Sequence, residues 1–237
     1  MSNALTVEIW SDIACPWCYI GKRRFAAALE RFPRRDEVQV IWRSFELDPT
    51  AEHSHEHPGM TEAQLLSERK GLPEDQVRQM FAQVTQVAAG EGLVYDFDRV
   101  VPANTFDAHR LVHIAGDRGA ELVERLMSAH FEHGRVLDDT DELLAIATEA
   151  GLDAGTVRAA LASDEGAGAV RADEAEAQAL GVNGVPFFVA DRRIAVSGAQ
   201  PVEVFTQLLD QAFPAPTPSF ITVPGADSAE ACGPDGC

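Results

Sequence analysis

The sequence predicts an α/β fold in which a long block of helices interrupts a unit of strands and helices. Three observations support this. A β-α-β pattern opens the chain, helical segments fill its middle, and a strand hairpin followed by a helix closes it. We therefore assign residues 1–50 and 181–213 to one domain and residues 51–180 to an all-helical insertion. Residues 214–237 are rich in Pro, Gly and Ser and form a predicted flexible tail.

The opening unit is predicted to be a parallel strand pair joined by a crossover helix. The segment "LTVEIWSDI" alternates around β-branched and aromatic residues, and "VQVIWRSFEL" repeats this strand pattern. Between them, "CPWCYIGKRRFAAALERF" places Phe25 and Phe32 on one helical stripe. Pro16 falls in the first helical turn, where proline is tolerated. A strand, a helix and a second strand in this order favour parallel pairing.

The middle and the end of the chain follow a different pattern. Several segments between residues 51 and 180 suit helices that end in glycine. One of them begins at "PANTFD", which predicts Asn104 as a helix cap. Near the end, "VPFFVADRRIAVSG" has two short apolar runs around a polar centre and predicts a hairpin. Pro201 then favours the start of a closing helix.

Composition limits the classes of partner. The chain has 237 residues and a formal net charge of −19, which disfavours binding to nucleic acid. It contains no apolar run long enough to cross a membrane, and its first residues do not resemble a signal peptide. We therefore expect a cytoplasmic protein without a membrane partner. In a reducing compartment, its four cysteines are expected to be redox-active or metal-bound rather than structural.

Cys15 and Cys18 form a C-x-x-C pair at a predicted junction between a strand and a helix. Free backbone N–H groups and the positive end of the helix dipole favour negative charge there. They would stabilise the thiolate, which is the attacking species in disulfide exchange. Cys18 follows one turn later, in position to resolve a mixed disulfide. The spacing thus favours a redox pair with Cys15 exposed and Cys18 buried.

These residues resemble the DsbA-like thioredoxin-fold oxidoreductases, specifically the FrnE-like branch. The resemblance rests on "VEIWSDIACPWCYIG", "VPANTFDAHRL" and "ALGVNGVPFFV" and covers about residues 5–213. It implies a thioredoxin-like fold interrupted by a helical domain. It also implies a cis peptide at Val185–Pro186 facing the cysteine pair. Pro16, Trp17, Val185 and Pro186 would then line the substrate groove, with Trp17 partly exposed to apolar substrate groups.

The sequence departs from DsbA in ways that keep a second activity open. DsbA carries a histidine between its cysteines where this chain has Trp17, so we expect a less oxidising pair. Glu8 is the nearest candidate for a buried acid beneath the cysteines, but its spacing from Cys15 is unusual and we assign it no such role. The sister 2-hydroxychromene-2-carboxylate isomerases use glutathione and have serine at the position of Cys15. A glutathione-dependent isomerase or transferase is therefore the alternative function.

The cysteines allow two further interpretations. Cys15, Cys18, Cys232 and Cys237 could form a zinc site, although the tail spacing is wide for one. The first pair could also be two small buried hydrophobes. The spacing of the histidine pairs His109/His113 and His130/His133 favours packing at a surface or domain interface. The histidines of "HSHEH" are predicted to lie in a solvated loop, and Asp12 is predicted to be a turn residue.

The tail holds a second cysteine pair, Cys232 and Cys237, in "CGPDGC". Eighteen residues from Pro214 could span up to about 60 Å, enough to bring this pair to Cys15. We predict a thiol–disulfide oxidoreductase with Cys15 as nucleophile and Cys18 as resolving thiol, and Cys232 and Cys237 as a candidate second redox pair. Its partners would be protein or low-molecular-weight thiols and disulfides. We expect no metal and no cofactor, with glutathione as a candidate co-substrate.

Overall fold

The computed structural model of the chain describes residues 4–213 and contains a four-stranded sheet of order β2-β1-β3-β4. Strand β1 (Leu5–Ser11) pairs in parallel with β2 (Val38–Ser44) and antiparallel with β3 (Phe187–Ala190). Strand β4 (Ile194–Ser197) closes the hairpin with β3. This topology confirms the predicted β-α-β and β-β-α units of a thioredoxin-like fold.

One face of the sheet is covered by α1 (Pro16–Arg31) and α9 (Val202–Ala212). Side chains alternate along a strand, so every second residue of β1 points to these helices. Three buried aromatic rings of this core come from α1, β3 and α9 and contact one another; they are Phe25, Phe188 and Phe205. The closing helix α9 thus packs against α1, the helix that contains Cys18.

Seven helices lie between β2 and β3, as expected for an inserted helical block. They are α2 (Glu62–Lys70), α3 (Glu74–Gly90), α4 (Phe106–Ile114), α5 (Gly119–Phe131), α6 (Thr140–Glu149), α7 (Ala154–Leu161) and α8 (Ala167–Ala179). Three single 3₁₀ turns accompany the regular elements, at Arg35–Glu37, Ser54–Glu56 and Gly116–Arg118. Glycine follows α2 in the left-handed conformation, at Gly71 with φ 64°, which L side chains adopt only with strain.

The first turn of α1 belongs to the core of the inserted helices rather than to the core of the sheet. Cys15, Cys18, Tyr19 and Ile20 are buried among residues of α4, α5 and the loop before α4. Tyr19 also donates a 2.7 Å hydrogen bond to Glu124 on α5. The start of α1 is therefore held between the two parts of the molecule.

The sequence predicted Asn104 as the N-cap of α4, but the N-cap position is Thr105. The Asn104 side chain instead accepts a hydrogen bond from the Phe106 N–H at 2.9 Å and donates one to the Ala51 carbonyl at 2.8 Å. The helix begins one residue later than predicted because Asn104 bridges to the loop after β2. The side-chain amide of Asn104 thus hydrogen-bonds both to the start of α4 and to the loop after β2.

Candidate active site

Cys15 occupies the N-cap position of α1, and Pro16 is the first helical residue. Proline suits this place because its missing N–H would have no partner within the helix. The Cys18 N–H donates to the Cys15 carbonyl at 3.0 Å, which closes the first turn. Both cysteines are free thiols in the structure. The pair therefore has the placement at a strand-to-helix junction that the sequence predicted.

The thiols are more enclosed than the sequence suggested. Cys15 is only 4% exposed, against 1% for Cys18, so the expected exposure of Cys15 is wrong. The cause is the inserted domain, which packs against the first turn of α1, together with the loop that precedes β3. Trp17, between the two cysteines, is by contrast 44% exposed.

The loop before β3 meets Cys15 directly. The Val185–Pro186 peptide bond is cis, and the Cys15 Sγ–H donates to the Val185 carbonyl at 3.7 Å. Pro186 also lies against α1: a Cβ atom added to Gly21 would lie 2.9 Å from the Pro186 Cγ. Glycine at position 21 thus allows the helix and this loop to approach closely. Val185 therefore contacts Cys15, and Pro186 packs against α1.

Cys18 lies where a thiolate is disfavoured in the reduced protein. Burial raises its pKa well above the usual value, and the neighbouring Cys15 raises it further. Two groups act in the other direction, the Ser11 hydroxyl and the backbone N–H of Asp12. Cys18 is therefore protonated at neutral pH while both thiols are free.

Asp12 does more than form the predicted turn. Its Oδ1 accepts from the Ala14 N–H at 3.3 Å, and its Oδ2 accepts from the Leu47 N–H at 2.8 Å. His109 Nε2 on α4 lies 3.4 Å from Oδ1. Burial would raise the pKa of Asp12, but His109 and these N–H donors outweigh it and hold the pKa below its usual value. Asp12 is thus a buried anion that links β1, β2 and the inserted domain.

Two more side chains of the insertion face this region. His130 on α5 is fully buried, and burial lowers its pKa to about 4 against the opposing charge of Asp12. Tyr95, in the loop before α4, donates a 2.7 Å hydrogen bond to the Pro16 carbonyl between the two cysteines. Nothing in the sequence pattern links Tyr95 or His130 to the cysteines, because both are brought there by the packing of the insertion.

Glu8 lies on the sheet face that points away from the cysteine pair. It is 3% exposed and accepts hydrogen bonds from Arg43 Nε at 3.0 Å and Arg192 Nη2 at 2.8 Å. A carboxylate on this face cannot reach Cys18. Among acidic residues, Asp12 rather than Glu8 is the one that lies beside the cysteine pair.

The geometry defines a thioredoxin-type thiol site, and comparison with known families agrees. Residues 6–210 match the DSBA-like thioredoxin domain, so the chain belongs to this family. The crystal structure of a probable DsbA oxidoreductase from Streptomyces coelicolor is 46% identical, with a TM-score of 0.83 over 98% of both chains.

Two more distant structures share the fold. A 2-hydroxychromene-2-carboxylate isomerase is 15% identical, with a TM-score of 0.65 over 86% of this chain and 94% of its own. The cytosolic disulfide reductase DsbM from Pseudomonas aeruginosa is 20% identical, with a TM-score of 0.55 over 86% of this chain and 96% of its own. A second structure of DsbM contains GSH. At these identities the likeness concerns the fold alone.

The remaining sequence hypotheses meet the structure only in part. Within residues 4–213, no three His, Cys, Asp or Glu side chains are grouped so that they could hold a metal ion. Cys232 and Cys237 lie outside the described residues, so the four-cysteine zinc site and the second redox pair stay predictions. No helix in residues 4–213 is long and apolar enough to span a bilayer.

Proposed function

We propose that the protein catalyses thiol–disulfide exchange through Cys15 and Cys18. The observation that carries the proposal is the contact of the Cys15 thiol, at the N-terminus of α1, with the Val185 carbonyl beside cis-Pro186. Free N–H groups and the positive end of the helix dipole lie at this N-terminus, which is a place that favours negative charge. Family membership supports the same chemistry.

In the reducing direction, the Cys15 thiolate attacks one sulfur of a substrate disulfide, and the other sulfur leaves as a thiolate. Cys18 then loses its proton and attacks Cys15 Sγ. The bond between Cys15 and the substrate breaks, the second substrate thiolate leaves, and the Cys15–Cys18 disulfide remains. Two electrons have passed to the substrate. Reversal of both steps oxidises a dithiol.

The groove formed by Pro16, Trp17, Val185 and Pro186 would receive the substrate. Trp17 offers an exposed ring for apolar groups, which favours protein or low-molecular-weight disulfides with apolar neighbours. We propose glutathione as a co-substrate and a cytoplasmic location. Both are in line with DsbM, which shares the fold, is named a cytosolic disulfide reductase and has a structure with GSH. With tryptophan between the cysteines, we expect a reduction potential between about −270 and −120 mV.

Replacement of each cysteine tests the assigned roles. Cys15→Ser should abolish reduction of insulin or of a glutathione mixed disulfide. Cys18→Ser should retain the first step and accumulate a covalent complex through Cys15, because the resolving thiol is absent. Non-reducing gels and mass spectrometry would detect the complex. A complex that forms through Cys18 in the Cys15→Ser variant, with none in Cys18→Ser, would reverse the assignment.

The same purified protein separates the rival functions. Exchange should proceed without added metal. One zinc ion per chain, lost together with the fold on chelation, would favour a zinc module. Glutathione-dependent isomerisation of an aromatic carboxylate that survives in the Cys15→Ser/Cys18→Ser variant would favour the isomerase.

We also propose that Cys232 and Cys237 exchange electrons with the first pair. A tether can raise the effective concentration of a second dithiol to about millimolar. Full-length protein, a form ending at Phe213 and the Cys232→Ser/Cys237→Ser variant should then differ in turnover with one reductant. Identical turnover and potential in all three, with no cross-link from Cys15 to the tail under partial oxidation, would exclude a redox role for the tail.

A further inference from the structure

Ser11 is a buried polar side chain at the end of β1 that has no structural partner. The residue is 3% exposed, and its hydroxyl makes no hydrogen bond with any group in residues 4–213. Side chains alternate along the strand, so Ser11 points to the same face as Val7 and Ile9, toward α1. An unpartnered buried hydroxyl destabilises a fold, so its presence here calls for a role outside the packing.

The group that Ser11 influences is the Cys18 thiol. In the reduced protein, burial and Cys15 raise the pKa of Cys18, while the Ser11 hydroxyl and the Asp12 N–H oppose them. Once Cys15 is part of a mixed disulfide it carries no charge and no longer opposes ionisation of Cys18. Burial must then be offset by the Asp12 N–H and Ser11, and of these Ser11 alone is a side chain that substitution can remove.

We propose that the Ser11 hydroxyl donates a hydrogen bond to the Cys18 thiolate when the Cys15–Cys18 disulfide forms or opens. This inference rests on the exchange activity proposed above. In the forming direction, Cys18 loses its proton, its electron pair makes the new S–S bond, and the substrate sulfur leaves and takes up a proton. Ser11 keeps its own proton throughout. In the opening direction, Ser11 stabilises Cys18 as the leaving thiolate.

The other titratable groups near Cys18 do not replace Ser11. The Asp12 carboxylate has a lowered pKa, so it is already ionised at neutral pH and its effect on Cys18 is constant. His130 has a pKa of about 4 and is neutral above pH 6. His109 faces Asp12, and the Tyr95 hydroxyl donates to the Pro16 carbonyl. Among the groups that favour the Cys18 thiolate, Ser11 is thus the neutral side-chain donor.

The expected size of the effect follows from two opposing terms. Hydrogen bonds to charged groups are the stronger ones, and losing one should reduce the thiolate fraction of Cys18 about tenfold, which is one pKa unit. A thiolate of higher pKa is also a better nucleophile, by roughly threefold per unit. Below the pKa of Cys18, Ser11→Ala should therefore slow disulfide formation by about threefold. Above that pKa the loss should vanish or reverse.

The test follows the two cysteines separately. Full-length protein with Cys232→Ser and Cys237→Ser is reduced and mixed with 5,5′-dithiobis(2-nitrobenzoate) in a stopped-flow instrument from pH 6 to 10. Attack by Cys15 releases one thionitrobenzoate in a concentration-dependent phase, and attack by Cys18 releases a second in a unimolecular phase. Ser11→Ala should slow only the second phase, and Ser11→Thr should restore it. Thiolate absorbance in the same variants reports the ionisation of Cys18 directly.

Ser44→Ala is the matched control. Ser44 is the register partner of Ser11 at the end of β2 and is equally buried, at 3% exposed. Its hydroxyl lies 3.0 Å from His113 Nε2 instead of facing Cys18. The control should leave the second phase unchanged. Ser11→Ala should also fold at least as stably as the parent, because it removes an unpartnered group.

Each outcome bears on the inference. An unchanged second phase in Ser11→Ala, an equal slowing by Ser44→Ala, or a slowing that is the same at every pH would overturn it. Loss of folding in Ser11→Ala would also overturn it, since it would show a structural partner. If the parent protein itself gives no second phase, the proposed exchange fails; if the parent reacts and Ser11→Ala matches it, only the role of Ser11 fails.

Discussion

Replacing Gly21 by alanine should separate the loop that contains Pro186 from the helix that carries the cysteines. The added Cβ would lie 2.9 Å from the Pro186 Cγ and 3.5 Å from Ala199. Carbon atoms in contact prefer about 3.5 Å or more, so helix and loop must separate by about 0.6 Å. The proline ring has little freedom to move away. The residue before it, Val185, is held in place because its carbonyl accepts a hydrogen bond from the Cys15 thiol.

Two opposing free-energy terms set the size of this effect. Overpacking a buried contact typically destabilises by about 1–3 kcal/mol. Alanine in a helix interior gains about 1 kcal/mol over glycine. The Gly21→Ala variant should therefore lose about 0–2 kcal/mol of unfolding free energy. For a chain of this length, each kcal/mol corresponds to about 2–4 °C in Tm.

A matched glycine isolates the steric term. Gly168 lies in α8, and within residues 4–213 a Cβ added there would meet no heavy atom within 4 Å apart from its chain neighbours and the backbone of its own helix. Gly168→Ala should stabilise slightly, so the difference between the two variants measures the clash at Pro186. Urea and thermal unfolding give the stabilities, and stopped-flow reaction of Cys15 gives the function, which should slow only in Gly21→Ala. Equal stabilisation in both variants, with an unchanged Cys15 rate, would refute the close approach of α1 and Pro186.

Two other predictions concern the inserted domain. Tyr95→Phe removes the hydrogen bond to the Pro16 carbonyl but keeps the ring, so urea unfolding should show a loss of about 0.5–1.5 kcal/mol; no loss would contradict that bond. For His130, the folded pKa of about 4 lies below the ordinary 6.5, so below pH 6.5 the unfolded chain binds a proton that the folded chain does not. Stability should fall by up to roughly 3 kcal/mol between pH 6.5 and 4, and His130→Gln should flatten that range. The pKa of Asp12 is lowered in the folded protein, so Asp12 should stabilise the fold at pH values above its ordinary pKa of about 3.9. This stabilisation should be lost only as the pH falls below that value. A slope between pH 6.5 and 4 that is unchanged in His130→Gln would exclude His130 as its source.

The sheet and the cysteine helix could be predicted because their signals are local. The alternation of β1 and β2, Pro16 at the first helical position and the polar centre of the hairpin each lie within about ten residues. The order of the elements then limits the topology, since parallel strands need a crossover helix.

The surroundings of the cysteines could not be predicted in the same way. Tyr95 reaches the first turn of α1 from 79 residues away in sequence, and His109 reaches Asp12, just before this helix, from 97 residues away. No periodicity encodes such contacts. The burial of Cys15 has the same origin. The orientation of Ser11 could be predicted, because Ser11 is separated from Val7 and Ile9 by an even number of residues along β1 and therefore lies on the same face, toward α1. That signal was available in the sequence but carried no indication of what the hydroxyl would face.

The inserted helices therefore enclose the cysteine pair and do not form an independent unit. Glu124 on α5 binds Tyr19, Lys22 and Arg23 on the helix that begins at Cys15. On the same side, Tyr95 holds the turn between the cysteines and His109 holds Asp12 beneath it. Because these contacts meet along the first half of α1 and at Asp12 just before it, a change in the packing of the insertion should alter the position and enclosure of both thiols. Substitutions in the insertion should thus change thiol reactivity even where they lie far from Cys15 in sequence.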